Sequence, residues 1–234
     1  MDPTQEPKLK AALEAIKHVQ DGVVVGLGSG STAAFAIEAI GNRIKAEKLR
    51  ILGVPTSSQA FGLAVECGIP ITTLDEHPQV DVTIDGADQL TPELYLIKGG
   101  GAALAREKIV AAASNLNIII ADDKKRVKQL GLGGQAVPVE VLPFALSLAK
   151  KRITDLGGKP IVRECKGKLG PIITDNGNAI LDVDFGIVTD PLDLHVKVKM
   201  IPGVVETGFF VDLADIAYIG TQSAVEKVER LRHR

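Results

Sequence analysis

Four short stretches carry residue types that can do chemistry together. GLGSGSTAA, Gly26 to Ala34, sets glycines beside Ser29, Ser31 and Thr32. Glycine lets backbone N–H groups approach an anion closely, and Gly30 with the three hydroxyls adds donors. A helix starting there contributes roughly half a positive charge, so the stretch reads as a phosphate cradle. IDGADQL places Asp85 and Asp88 around Gly86 and Ala87. Two carboxylates leaving one strand at that separation can face one small cavity and trade protons there. LIKGGGAALAREKIVA carries Lys98, then Gly99, Gly100 and Gly101, then Glu107 in the second turn of a helix. One loop–helix unit thereby offers a cation, a run of backbone donors and a carboxylate. ADDKK adds Lys125, which can hold the anionic end of a ligand.

Each stretch has an ordinary structural reading beside the chemical one. The first can be a glycine turn with hydroxyl helix caps, Asp85 a turn former and Asp88 a cap, and Arg106-Glu107-Lys108 a solvated charge cluster. The first stretch also satisfies G-x-G-x-x-A through Gly28, Gly30 and Ala33, the spacing of a dinucleotide fold. That fold needs an acid near the end of the second strand, where ILGVPTSSQA offers only Pro55, Thr56, Ser57, Ser58 and Gln59. What distinguishes the chemical reading is that one ligand must explain several strand ends at once. Phosphate-binding glycines, paired carboxylates, a lysine and a helical glutamate suit proton transfer on a small phosphorylated hydroxy-carbonyl compound.

The elements that must position these residues follow from periodicity. Lys8 to Val19 has helical spacing closed by Gly22, VVVGLG is an apolar run of the kind buried on both faces of a sheet, and Thr32 to Gly41 is again helical. ILGVP, SSQAFGLAVECG and DVTIDGAD continue as strand, helix and strand, and REKIVAAAS with NIIIADD repeats the alternation. This order predicts an α/β fold, a Rossmann-like parallel sheet covered by helices, with ligands beyond the carboxyl ends of the strands. After about Leu130 the pattern changes to one amphipathic helix and short β-rich runs, separated by the Gly167–Pro171 turn and by Asn176-Gly177-Asn178. From Val205 a short helix, the strand DIAYIG and a C-terminal helix are expected. The division predicted is a main α/β domain over residues 1–131 plus 205–234, with a small α+β domain inserted at 132–204.

Composition removes several function classes. The chain has 234 residues, net charge −2 and 3% aromatic residues, without the basic excess or stacking surface that nucleic acid requires. The polar start MDPTQEPKLK lacks an apolar core and no apolar run approaches membrane-spanning length, so the expectation is a cytoplasmic protein with no membrane partner. Cys67 and Cys165 lie far apart and read as buried small apolar residues. His18, His77, His195 and His233 are scattered, so no metal site is expected.

The series GLGSGSTAA, PTSSQA, DVTIDGADQ, LIKGGGAALAREKI, IIADDKK, PVEVLPFA and IPGVVETGFF resembles ribose-5-phosphate isomerase of the A type, in the same order and with similar spacing over nearly the whole chain. The most specific part is KGGGAAL followed by REK and preceded by DGAD. The resemblance implies reversible interconversion of ribose 5-phosphate and ribulose 5-phosphate in the pentose phosphate pathway, with no metal or organic cofactor, in a homodimer or homotetramer. It implies Glu107 as the base moving a proton between carbons 1 and 2 through a cis-enediolate. Asp85 and Lys98 would assist ring opening and stabilise the oxyanion, and Asp88 would orient hydroxyls. Ser29, Gly30, Ser31, Thr32, Gly86, Ala87, Lys125 and Lys8 would hold the substrate, with Gly99 to Gly101 as backbone donors. The chain departs from the family pattern at Ala105, often threonine, and at Gln89, often glutamate. The same sheet type also resembles sugar-phosphate-sensing domains, CoA transferases and translation-factor subunits. A sensor needs the cradle but not the acid–base set, and the joint presence of Asp85, Asp88, Lys98 and Glu107 favours the enzyme.

Overall fold

The computed structural model describes residues 5–167 and 169–230. The first four residues of the polar start, Lys168 of the Gly167–Pro171 turn and His233 lie outside them. The chain forms two compact units, one from residues up to Ala87, Arg106–Arg126 and Asp212 onward, the other from Asp88–Ala105 and Val127–Val211.

The first unit is the expected α/β layer. Its sheet runs Val225–Glu229, Ile216–Gly220, Ser114–Asp122, Val80–Gly86, Val24–Leu27, Leu52–Pro55 from edge to edge. All neighbours are parallel except the antiparallel pair at the Val225–Glu229 edge. The central strands are apolar because helices and neighbours leave them no water. Val25, Leu27, Ile84, Ile118 and Ile120 pack with Ala11, Ala12, Ile37 and Ile40 from the helices Glu6–Ala15 and Ser31–Glu47. Each large aliphatic side chain so buried contributes about 1.5–3 kcal/mol.

In this unit two elements differ from what the sequence predicts. The helix expected to stop at Gly41 runs to Glu47 and ends where Lys48 turns left-handed, φ 57°. Gly41 is there for close packing, since a Cβ on it would lie 2.7 Å from Cys67 Cβ. The expected C-terminal helix is instead the strand Val225–Glu229, paired with Ile216–Gly220. Its charged residues Glu226, Lys227 and Glu229 suit an exposed sheet edge. Cys67 and Cys165 are free thiols and only half-buried.

In the second unit an antiparallel sheet runs Val204–Thr207, Val137–Val141, Ala179–Asp184, Lys159–Val162. Val139, Val141, Leu181 and Val183 pack against Ala149 and Ile153 of the helix Leu146–Asp155 and Val198 of the helix Pro191–Lys199. A three-stranded ribbon pairs Phe209–Phe210 with Leu96–Ile97, and that with Gln89–Leu90. The short helix expected after Val205 is absent; Val204–Thr207 and Phe209–Phe210 are strands. Among the described residues no helix is long and apolar enough to cross a membrane.

Candidate active site

At the carboxyl edge of the first unit's sheet, the turn after Val24–Leu27 is tied to the end of Val80–Gly86. The Gly28 N–H donates to Ile84 O at 3.0 Å, and the Ser29 N–H to Asp85 Oδ1 at 3.0 Å. Asp85 Oδ1 also accepts the Gly86 N–H at 2.7 Å. Asp85 is 2% exposed, so these backbone donors stand in for the water its carboxylate has lost. Gly28 is required by this approach: a Cβ there would lie 2.2 Å from Asp85 Oδ1. Gly30 adopts φ 93° and hands the chain to the helix Ser31–Glu47, whose Thr32 lies beside Gly86, its Cβ 3.8 Å from where a Gly86 Cβ would be. Lys8 Nζ donates to Ser31 Oγ at 3.3 Å. The structure thus gathers Lys8, Ser29, Gly30, Ser31, Thr32, Asp85 and Gly86 at one strand edge.

The hydroxyls after the second strand support this loop. Leu27 and Pro55 are register partners, so the residues leaving each strand are neighbours. Ser29 Oγ lies 2.7 Å from Thr56 Oγ1 and donates to Ser57 Oγ at 2.6 Å, while Gln59 Oε1 accepts the Gly30 N–H at 2.9 Å. From the sequence, PTSSQ served to exclude a dinucleotide and to mark the family resemblance, with no site role given to Thr56, Ser57 or Gln59. Its signal was the hydroxyl run itself, placed one parallel strand away from the cradle.

Glu107 lies on the helix Leu104–Ala112, which ends just before Ser114–Asp122 begins and so runs back from the carboxyl edge. Val110 of that helix packs on Gly26, whose missing Cβ would be 2.7 Å from Val110 Cγ1. Glu107 is three residues earlier on the same face, about 4.5 Å nearer the carboxyl edge. It is 5% exposed, which excludes the solvated-cluster reading for this member of the triplet. Lys125, partly buried, closes the short 3₁₀ turn directly after Ser114–Asp122, the next strand over from Asp85.

The second unit builds the lysine–glycine loop. Lys98 follows Leu96–Ile97, its N–H bonded to Gly208 O at 2.9 Å. The side chain is 3% exposed, with Nζ 5.3 Å from the centre of the Phe210 ring. Asp88 donates its N–H to Ile97 O at 2.8 Å and accepts the Gly100 N–H on Oδ2 at 2.8 Å. Gly99 holds φ 99°, and a Cβ on Gly100 would lie 2.7 Å from Asp88 Oδ1. Asp88 therefore orders the glycine loop and uses the N–H of Gly100 to do so. Ala87 is half-buried at the junction between Asp85 and Asp88. Among the described residues no three His, Cys, Asp or Glu side chains gather as metal ligands.

Comparison with known proteins decides the family. The family model for Ribose 5-phosphate isomerase A (phosphoriboisomerase A) matches residues 52–224. The chain belongs to the ribose-5-phosphate isomerase A family. A curated relative, Ribose-5-phosphate isomerase A of Methanosarcina acetivorans, is 49% identical over 96% of this chain and 95% of its own. The one from Pyrococcus abyssi is 44% identical over 97% and 99%. The solved ribose 5-phosphate isomerase A of Methanocaldococcus jannaschii superposes with a TM-score of 0.93 at 44% identity, covering 97% of this chain and 99% of that one. A D-ribose-5-phosphate isomerase solved in complex with phospho-erythronic acid superposes with a TM-score of 0.94, again at 44% identity and with 97% and 99% coverage.

Within this family the Gln89 departure has a local reason. Its side chain donates from Nε2 to Leu132 O at 2.7 Å and accepts the Gly131 N–H on Oε1 at 2.8 Å. An ionised glutamate only accepts and could not make the bond to Leu132 O, whereas the amide makes both. Ala105 is buried, and no feature of its surroundings accounts for alanine in place of threonine.

Proposed function

We propose that the chain interconverts D-ribose 5-phosphate and D-ribulose 5-phosphate by moving a proton between carbons 1 and 2 through a cis-enediolate, with Glu107 as the base. Membership of the isomerase family supports the reaction. The observation that carries the site reading is the Ser29 N–H to Asp85 Oδ1 bond of 3.0 Å, which makes one rigid piece of the anion loop and a buried carboxylate. Ser29, Gly30, Ser31 and Thr32 grip the phosphate with Lys125 and Lys8. Asp85 and Lys98 open the furanose ring, the lysine then countering charge on the developing oxyanion. Asp88 aligns substrate hydroxyls and holds Gly100, Gly86 and Ala87 contribute to substrate binding, and the Gly99–Gly101 segment supplies backbone donors. An enediolate is a short-lived anion, so fixed donors and a buried cation lower its barrier without reorganising.

The reading includes a cytoplasmic setting and a homodimer or homotetramer, in which a second copy covers apolar side chains such as Phe144 and Met200 that the single chain leaves exposed. Sedimentation of the purified chain tests the assembly. A coupled assay of ribose 5-phosphate conversion tests the reaction; turnover that survives exhaustive chelation supports it as written, and absence of turnover removes it.

A further inference from the structure

Arg163 takes no part in the roles above, yet its guanidinium is aimed at the glycine loop. It follows the strand Lys159–Val162, and its backbone is fixed on both sides: N–H to Ile180 O, and O from the Ile172 N–H, each at 2.9 Å. The side chain is 14% exposed. Nε donates to Asp182 Oδ2 at 2.8 Å and Nη2 to Asp182 Oδ1, the two-pronged pairing that locks a guanidinium plane. That leaves Nη1, which donates to Gly99 O at 2.9 Å and to Gly100 O at 3.0 Å.

The hairpin carrying these residues is anchored in turn. Buried Glu140 accepts on Oε1 from Thr174 Oγ1 at 2.9 Å, Asn176 Nδ2 at 3.0 Å and Asn178 Nδ2 at 2.8 Å. The Asn176-Gly177-Asn178 turn is therefore a fixed strut of the Arg163 segment.

In a trans peptide the C=O and the next N–H point in opposite directions. Arg163 on the Gly99 carbonyl and Asp88 on the Gly100 N–H thus hold one peptide plane from both sides. Arg163 on the Gly100 carbonyl likewise points the Gly101 N–H away from the guanidinium. Three successive glycines would otherwise be the freest segment of the chain. A cation on their carbonyls also polarises the same peptides and strengthens their N–H groups as donors.

We propose that Arg163, held by Asp182, is a positioning residue of the isomerase site: it fixes the Gly99–Gly101 peptide planes, and with them Lys98, for stabilisation of the enediolate. This rests on the isomerase reading above. Arg163 touches no reacting atom, and the phosphate grip does not involve it. Its loss should therefore fall on kcat and leave KM nearly in place.

The test uses the full-length chain and its variants Arg163→Met and Arg163→Lys, with parallel amide-exchange measurements on the labelled proteins. Misplacing a catalytic group by an ångström costs about a hundredfold. Arg163→Met should lose roughly that in kcat with KM within a few-fold, exchange the Gly100 amide faster, and bind an unreactive sugar-phosphate acid more weakly in proportion to kcat. Inorganic phosphate should bind as to the parent. Arg163→Lys keeps the charge but not the fork, and should fall between the two and fold even if the methionine variant does not. Parent-like kcat in the lysine or methionine variant together with unchanged Gly100 exchange overturns the positioning role. A loss that disappears on cooling, tracking only a lower Tm, overturns it as well. A parent chain that fails to turn over ribose 5-phosphate removes the isomerase reading itself, an outcome distinct from either.

Discussion

The Ser29 backbone N–H donates to Asp85 Oδ1 at 3.0 Å, and the Gly86 N–H donates to the same oxygen at 2.7 Å. The loop proposed to grip a phosphate and the carboxylate proposed to assist ring opening are thus joined through the Asp85 side chain. The main-chain bond from the Gly28 N–H to Ile84 O, 3.0 Å, which goes with the register of Leu27 opposite Ile84, keeps the two strand ends together beneath them. In the proposed function this coupling sets the spacing between the gripped phosphate and Asp85.

Gly28→Ala should break that coupling. The new Cβ would lie 2.2 Å from Asp85 Oδ1 and 2.5 Å from Asp85 Cα, so backbone as well as side chain must move. Overpacking of this kind costs about 1–3 kcal/mol, and displacing Asp85 should lower kcat about a hundredfold. Gly62→Ala is the control. Gly62 lies in the helix Ser58–Glu66 with open space where a Cβ would go, so that variant should keep its activity and gain slightly in Tm.

Thr32→Ala and Ser31→Ala separate holding from chemistry. Both hydroxyls stand in the first turn of the helix Ser31–Glu47, in the proposed phosphate grip. The phosphate is unchanged by the reaction, so removing a donor to it should raise KM, roughly ten- to a hundred-fold for a bond to a charged group, with kcat less affected. Steady-state kinetics on ribose 5-phosphate and on ribose checks this. Equal losses on both substrates would show that the hydroxyls do not serve the phosphate.

Stability should carry a histidine signature. Burial, then the Lys227 ammonium, push the His18 imidazole below its ordinary 6.5, with Glu229 pulling weakly the other way. Its Nε2 lies 2.9 Å from Tyr218 Oη. The unfolded chain takes up a proton near 6.5 that the folded chain refuses until lower pH. The contribution of His18 is therefore complete above 6.5 and is lost as the pH falls from there through the folded value. Thermal unfolding between pH 8 and pH 5 should show a smaller fall in Tm for His18→Gln than for the parent; identical slopes would exclude His18 as the source.

The parallel α/β layer was legible because period and buried apolar runs alone specify it: VVVGLG and NIII are strands wherever they are placed between helices. Gly41 misled because a glycine inside a helix and a glycine ending one are the same letter, and only the Cys67 contact tells them apart. VEKVE was read as helix because a short charged run at a sheet edge has weak alternation and takes its state from the partner strand. The supporting shell of the site was the least visible part. Thr56, Ser57 and Gln59 act through register with the first strand. Arg163 acts on carbonyls that precede it by more than sixty residues. No spacing rule reaches that far, whereas KGGG and DGAD were legible because their chemistry-bearing residues stand within a few positions of one another, and Gly99 and Gly100 do sit where a Cβ would clash.

Glu107→Gln is the sharpest test of the reaction. Glu107 is buried on the helix face that packs on Gly26, so its removal should not be masked by solvent supplying another base. The proton to be moved lies on carbon, where water is a poor substitute, and a positioned base is worth about a hundred- to ten-thousand-fold. Turnover should fall by at least that range. Glutamine keeps the length and most of the hydrogen bonding, so the fold and the binding of an unreactive sugar-phosphate acid should persist, somewhat weakened if that binding uses a proton shared with the carboxylate. Exchange of the carbon-2 proton of ribose 5-phosphate with deuterated solvent, followed by NMR, should vanish together with turnover, since both need the same base. If the folded Gln variant still exchanges that proton while turnover is lost, the base is elsewhere and Asp85, a buried carboxylate at the carboxyl edge, takes its place. If turnover stays within a few-fold of the parent, Glu107 has no part in the proton transfer at all.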